Sequence, residues 1–367
     1  MKLCFLANAN SIHSFKWIKF FADKGHEIHW ISLAPNIFSD VNGVKFYQFR
    51  EFSAKPLSIL FNAILARKLI KKINPDILHA HYAGVYGVLG ALSGFHPYIL
   101  TAWGSDILIA PKSKIAKPLI KFALKKADLI TCNGETLKEK MMELGVSPRK
   151  IEFIFWGIDT KKFQPGFKNE KFLKELGIFD FPVIISLRTL EPIYDVESLI
   201  NAIPLVLKDV PQAKFVIAGK GSREKVLKKL TESLGISNSV RFVGWIPHDE
   251  LPRYLSSSDI YVSTSLSDGD LSQSTGQAMA CELPIIITDL AVNRSRIKDG
   301  ENGFLVPTKD PKTLAEKIVI LLRDEKLRIK LGKEGRKMIE NKLNYYKEME
   351  KAENIYEELL SRQKHNV

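Results

Sequence analysis

Residues 182–222 read PVIISLRTLEPIYDVESLINAIPLVLKDVPQAKFVIAGKGS. The stretch opens on a short β-branched run, Pro182–Leu187, and closes on another, Lys214–Ala218. Between them, Val196–Leu207 repeats apolar residues at helical spacing, the period of an amphipathic helix. Strand, helix and strand in this length form a right-handed crossover between parallel strands. Each strand runs into a polar loop: Ser186 to Asp195 after the first, and Gly219-Lys220-Gly221-Ser222 after the second. In open parallel sheets ligands sit beyond the carboxyl ends of the strands, where helix N-termini offer N–H groups to anions. Both loops are therefore candidate ligand positions.

The alternation extends in both directions. Downstream, Val240–Val243, Ile260–Ser263 and Pro284–Thr288 read as strands, with a helix at Arg223–Leu234. Upstream, strands are predicted at Leu3–Ala7, Glu27–Leu33, Ile77–Ala80, Tyr98–Thr101, Leu129–Cys132 and Ile151–Phe155. Helices are predicted at Phe15–Lys24, Leu57–Ile73, Lys114–Lys126 and Glu135–Leu144. Turn-rich Gly157–Gly166 separates the two series. With 367 residues to bury, we expect two doubly wound α/β domains, 1–163 and 164–343, with the cleft between them as the ligand position. Beyond Pro307 the chain reads as helical, ending in an amphipathic helix from Asn344.

Charge is unevenly placed. Residues 1–163 hold 23 Lys+Arg against 12 Asp+Glu, whereas the remainder holds 31 against 29. Nearly all of the net +13 thus lies in the first domain, which should face something anionic. The basic segments are ARKLIKK at 66 and PKSKIAKPLIKFALKKAD at 111. Cys4, Cys132 and Cys281 each lie in an apolar stretch, which reads as buried thiols in a reducing compartment. No apolar run is long enough to span a bilayer, and Leu3–Ala7 reads as a buried strand rather than a signal peptide.

A third loop follows the strand at 260–263: SDGDLSQSTGQAMACELP, residues 267–284. Its small residues leave room for a ligand at the start of the next helix, where the dipole is positive. Asp268-Gly269-Asp270 is similar to the Asp-x-Asp pair that holds a divalent metal in some nucleotide-sugar enzymes. No Ser/His/Asp set, zinc-ligand spacing or nucleotide-hydrolysing loop is present, and no nucleic-acid-binding motif accompanies the basic charge.

Together these stretches resemble the retaining glycosyltransferases of family 4, which have the two-domain GT-B fold. The most specific part is RFVGWIPHDELPRYLSSSDIYVSTSLSDGDLSQSTGQAMACELPIIITDLAVNRSRIKDGENGFLVP, ending at Pro307. PDILHAHYAGVYG at 75, LTAWGSDI at 100, ADLITCNGE at 127 and FWGIDTKKFQP at 155 support it. The resemblance implies that the last helix, 344–367, crosses back onto the first domain. It also implies that the first domain binds the acceptor and the second the nucleotide-sugar donor.

The resemblance implies two glutamates with seven residues between them flanking the donor site. Here Asp268 takes the first place, one residue further out, and Gln277 the second. Arg188 matches the arginine on the donor diphosphate. The usual lysine shortly after it is missing, and Lys220 is our candidate for that charge. Gly219, Gly221, Gly269, Ser272, Ser274, Thr275, Gln277 and Trp245 are expected to line the donor, with Arg188, Asp268 and Lys220 in catalytic roles. His81 and Asp106, at predicted strand ends facing the cleft, are expected to touch donor or acceptor. Trp103 stands where many members carry a histidine.

The implied reaction is a retaining, metal-independent transfer from a UDP- or GDP-sugar to a glycan or lipid-linked acceptor. The phosphate would be neutralised by cations and helix N–H groups, so we expect neither a metal nor a further cofactor. The expected setting is the cytoplasm, in peripheral contact with an anionic inner membrane face, with no nucleic-acid partner. Two other readings stay open in the sequence: a nucleotide-sugar epimerase on the same scaffold, and a nucleotide-sugar-binding protein without turnover, needing a partner.

Overall fold

A computed structural model describes residues 1–38, 41–50, 55–166, 168–268 and 270–364; the side chains of 55–58, 363 and 364 are left aside. The chain divides into two compact units, one of residues 1–156 together with those from Tyr346 on, the other of Gly157–Tyr345. The boundary falls at 156/157 rather than 163/164. Ile158 donates its N–H to Leu343 and accepts the N–H of Tyr345, so the predicted linker is hydrogen-bonded into the second unit.

The first unit is a seven-stranded parallel sheet. Its strands are β1 (Lys2–Leu6), β2 (Glu27–Ser32), β3 (Val44–Gln48), β4 (Ile77–His81), β5 (Tyr98–Thr101), β6 (Leu129–Cys132) and β7 (Ile151–Phe153). They lie in the order β3-β2-β1-β4-β5-β6-β7. The second unit has β8 (Val183–Leu187), β9 (Lys214–Ala218), β10 (Val240–Gly244), β11 (Ile260–Ser263), β12 (Ile285–Thr288) and β13 (Phe304–Val306), ordered β10-β9-β8-β11-β12-β13. All pairings are parallel. The winding is the same in both, two strands outward on one side of the first strand and the rest on the other. Each sheet therefore has a switch point: between β1 and β4 in the first, between β8 and β11 in the second.

Central strands such as β4, β5, β11 and β12 are buried along their whole length. Helices cover both faces, so these strands carry unbroken apolar runs rather than alternation. β3, exposed at Lys45 and Gln48 and buried nowhere along its length, was not singled out in the sequence, nor were β13 and the helix Val85–Ser93. Edge strands bury one face only, and the two glycines inside Val85–Ser93 weaken a helical signature.

From Tyr346 the terminal helix belongs to the first unit. The Tyr356 ring stacks on Phe21, with centroids 4.9 Å apart. Trp17 Nε1 donates to its hydroxyl at 3.1 Å, and that hydroxyl lies 2.5 Å from His79 Nδ1. The other ring nitrogen of His79 meets Thr101 Oγ1 at 2.6 Å, and Thr101 meets Thr131 at 2.7 Å. Indole N–H can only donate, so the phenol donates on to Nδ1 and Nε2–H donates to Thr101. Among the described residues the three cysteines are free and buried, and burial pushes the thiols of Cys132 and Cys281 up to about 11 and about 12.

Candidate active site

The loops after β8, β9 and β11 converge on the switch point of the second sheet. Backbone bonds lock them together. Leu190 donates to Lys220, Arg223 to Leu190, Gly219 to Gly244, and Leu266 to Ile193, at 2.7–3.0 Å. This explains the glycines. A Cβ on Gly219, which sits at φ 122, would meet Arg188 O at 2.2 Å, and one on Gly221 would meet Leu190 O at 2.3 Å. Their small size is required by loop-on-loop packing. Ser222, exposed, ties this loop to the one before it, its N–H and O–H both donating to Glu191 at 2.8 and 2.5 Å.

Arg188, the first residue after β8, is buried, and its Nη2 meets Asp268 Oδ1 at 2.5 Å. Its guanidinium lies over the Tyr194 ring, 4.3 Å from the centroid. Two polar atoms here, Arg188 Nε and Ser186 Oγ, are buried without a hydrogen-bond partner. A buried donor left unsatisfied costs about 1–3 kcal/mol, a cost that a ligand oxygen bonded here would remove.

Asp268 and Asp270 do not converge. Asp270 accepts from Leu271 N–H at 2.8 Å and from Arg296 at 3.3–3.4 Å, while Asp268 turns to Arg188. Gly269 between them lies outside the described residues. Lys220 faces Glu224, whose carboxyl is held below its usual range by the Lys228 hydrogen bond and, less strongly, by Lys220.

The helix Gln273–Ala280 begins beside this cluster. Ser272 caps it, accepting the Thr275 N–H at 3.3 Å, and its hydroxyl lies 2.8 Å from that of Thr275. Ser274 meets the Tyr261 hydroxyl at 2.8 Å. Thr275 and Gln277 are buried. Trp245, after β10, is 67 % exposed. Tyr194 and Glu191, which hold the arginine and the glycine loop, were not identified from the sequence. Nothing in a Glu-Pro-Ile-Tyr run shows which ring will lie under a guanidinium.

The remaining predicted residues lie in the first unit. His81 ends β4, as expected, and is 1 % exposed. Asp106 is not at a strand end but in the first turn of a short helix, Ser105–Leu108. Its carboxylate accepts the N–H groups of Ala83, Trp103 and Gly104 at 2.7–3.3 Å. Burial raises its pKa while these bonds lower it. It braces two loops and is enclosed by their backbone.

Sequence comparison agrees with this geometry. The family described as "Glycosyl transferases group 1" matches residues 168–338, and "Glycosyl transferase 4-like" matches 2–134. A putative glycosyltransferase of Bacillus subtilis, EpsD, is 30% identical over 74% of this chain and 74% of its own. The chain belongs to the group 1, family-4-type glycosyltransferases. A Campylobacter jejuni relative, N,N'-diacetylbacillosaminyl-diphospho-undecaprenol alpha-1,3-N-acetylgalactosaminyltransferase, is 29% identical to this transferase over 91% of the chain and 92% of the relative. The crystal structure of a Rickettsia africae glycosyltransferase superposes with a TM-score of 0.83 at 20% identity, covering 98% of both chains. That structure shares the fold of the transferase, GT-B.

Proposed function

We propose that this glycosyltransferase moves a sugar from a UDP- or GDP-sugar, with retention and without a metal, to a glycan or lipid-linked acceptor of a surface polysaccharide or glycolipid. The observation that carries the donor assignment is Arg188: one nitrogen is fixed on Asp268, the guanidinium face is fixed on Tyr194, and buried Nε has no hydrogen-bond partner. A diphosphate oxygen at this point would accept from the open Nε–H and lie near the positive end of helix 273–280. In a retaining transfer the anomeric C–O bond breaks, negative charge grows on the leaving phosphate, and that phosphate accepts the acceptor's proton. A fixed guanidinium stabilises this charge without reorganising. The Asp268 and Asp270 carboxylates are each turned to an arginine, which supports cation neutralisation by protein groups.

For the acceptor, support comes from the Campylobacter relative, whose name specifies a sugar on a diphospho-undecaprenol lipid. The basic helix Ala116–Lys126 fits such a setting at the inner membrane face. Ile120, Ala123 and Leu124 face the core, while Lys117, Lys121, Lys125 and Lys126 are exposed. Ile115, just ahead of it, is 80 % exposed and Ile109 62 %. Apolar tips among lysines suit shallow insertion into anionic lipid. Among the described residues, no helix is long and apolar enough to cross a membrane.

The test is incubation with UDP- and GDP-sugars and a polyprenyl-diphosphate-sugar acceptor, with EDTA in one arm, followed by NMR assignment of the new anomeric bond. Retained configuration with EDTA present supports the reading. Inversion, dependence on a divalent cation, or absence of transfer from every donor overturns the corresponding part.

A further inference from the structure

The first unit carries a second place where chemistry is left open, at its own switch point. His13, Trp103 and Trp156 meet there, from the helix after β1 and from the segments after β5 and β7. The Trp156 ring lies 4.2 Å from His13 and 4.9 Å from Trp103, edge-on to the latter at 81°. His13 stands edge-on to Trp103 at 5.7 Å. All three are partly exposed. His81 lies beneath Trp103 at 5.7 Å, its Nδ1 3.2 Å from Ser14 Oγ. Two polar atoms in this cluster, Trp103 Nε1 and His81 Nε2, are buried without a hydrogen-bond partner.

The cluster is uncharged. Burial, followed by the nearby Lys16, lowers the His13 pKa to about 4, and burial followed by His13 lowers that of His81 to about 3. It therefore offers aromatic faces, one indole N–H donor and one neutral imidazole nitrogen. Pyranose rings present the complement: apolar C–H faces and hydroxyls that both donate and accept. The geometry is held from behind, since Asp106 takes the N–H groups of Trp103 and Gly104 and, across the gap, of Ala83. Tyr82, between His81 and Ala83, sits at φ 82, the kind of backbone strain that collects at ligand sites.

We propose that His13, Trp103 and Trp156 form a stacking platform for a sugar ring of the acceptor, with Trp103 Nε1 and His81 Nε2 bonding its hydroxyls. The assignment to acceptor rather than donor sugar rests on the transferase reading above; the platform itself does not. Asp106 is a positioning residue for it.

Tryptophan fluorescence reads this site. Of the other three tryptophans, Trp17 and Trp30 are buried, and exposed Trp245 is silenced by Trp245→Phe. In that background, methyl glycosides of glucose, galactose and N-acetylglucosamine are titrated without nucleotide to about 100 mM, a range that detects very weak binding. At least one glycoside is expected to give a saturable change. Trp103→Phe, which keeps a ring but removes the N–H, weakens it about tenfold, and Trp156→Ala abolishes it with the circular dichroism spectrum unchanged. His13→Ala, at the third ring of the platform, gives an independent loss. No saturable change with any glycoside, or a change that survives Trp156→Ala, overturns the platform. A change seen only with a UDP- or GDP-sugar overturns the acceptor assignment. Saturable glycoside binding in a chain that transfers nothing keeps the platform and sinks the transferase reading instead.

Discussion

Arg188 Nη2 and Asp268 Oδ1 lie 2.5 Å apart, joining the loop after β8 to the loop after β11 across the switch point of the second sheet. The pair is largely buried, at 8 % and 13 % side-chain exposure, so its partners are strongly coupled. Removing one leaves the other charge enclosed and misdirected. We expect Arg188→Ala to lower kcat/KM by on the order of 10²-fold or more, the scale of losing one transition-state donor. Asp268→Asn keeps the shape but releases the guanidinium, and should lower kcat with a smaller change in donor affinity. Steady-state kinetics with thermal shifts against UDP and GDP separate the two, and an unchanged Arg188→Ala excludes the donor site.

Gly219→Ala tests the loop packing. The added carbon would meet the Arg188 carbonyl at 2.2 Å, at a φ of 122 that disfavours any side chain. The arginine loop must shift, so donor KM should rise and the melting midpoint fall together. Normal stability with impaired donor binding would instead restore a direct phosphate contact at this glycine.

Tyr356→Phe removes one oxygen and leaves two buried groups, Trp17 Nε1 and His79 Nδ1, without their partner. The expected loss is about 1–3 kcal/mol, the penalty for an unsatisfied buried group. Chemical denaturation reads it directly. A loss below measurement would mean that the hydroxyl does not tie the terminal helix to β4.

Stability should fall with acid before the carboxylates titrate. His13, His79 and His81 all have depressed pKa values, with desolvation the largest cause. The unfolded chain protonates them near 6.5, so below that pH it binds more protons than the native state. Their contribution is whole above about 6.5 and drains away as pH falls, for His13 and His81 towards about 4 and about 3, by up to about 1.4 kcal/mol per pH unit for each histidine. His81→Gln should flatten the fall of the melting midpoint between pH 7 and 5. An unchanged slope would show that His81 is not buried as a neutral ring.

Ile115→Asp should weaken binding to vesicles containing phosphatidylglycerol, and added salt should weaken wild-type binding in proportion to its lysine contacts. Co-sedimentation measures both. Equal binding to neutral vesicles would remove the electrostatic part of the membrane assignment.

The sequence by itself determined most of the elements and the doubly wound class, though not β3, β13 or the helix Val85–Ser93. Runs such as Phe215-Val-Ile-Ala218 are apolar because helices cover both faces of a parallel sheet, and a crossover between parallel strands has one hand. The positions of Arg188, Asp268 and His81 followed, because a loop after a parallel strand has only one end of the sheet to occupy. Which atoms meet there was decided by tertiary structure alone. Gly219 and Gly221 have the same composition in a phosphate cradle and in two interlocked loops. Asp106 has the same neighbours in sequence as an acid open to substrate and as one enclosed by three N–H groups. His13, Trp103 and Trp156 are separated by long stretches of chain, and only the parallel sheet, by turning the carboxyl ends of all its strands to one edge, brings the segments that follow β1, β5 and β7 close enough for their rings to meet.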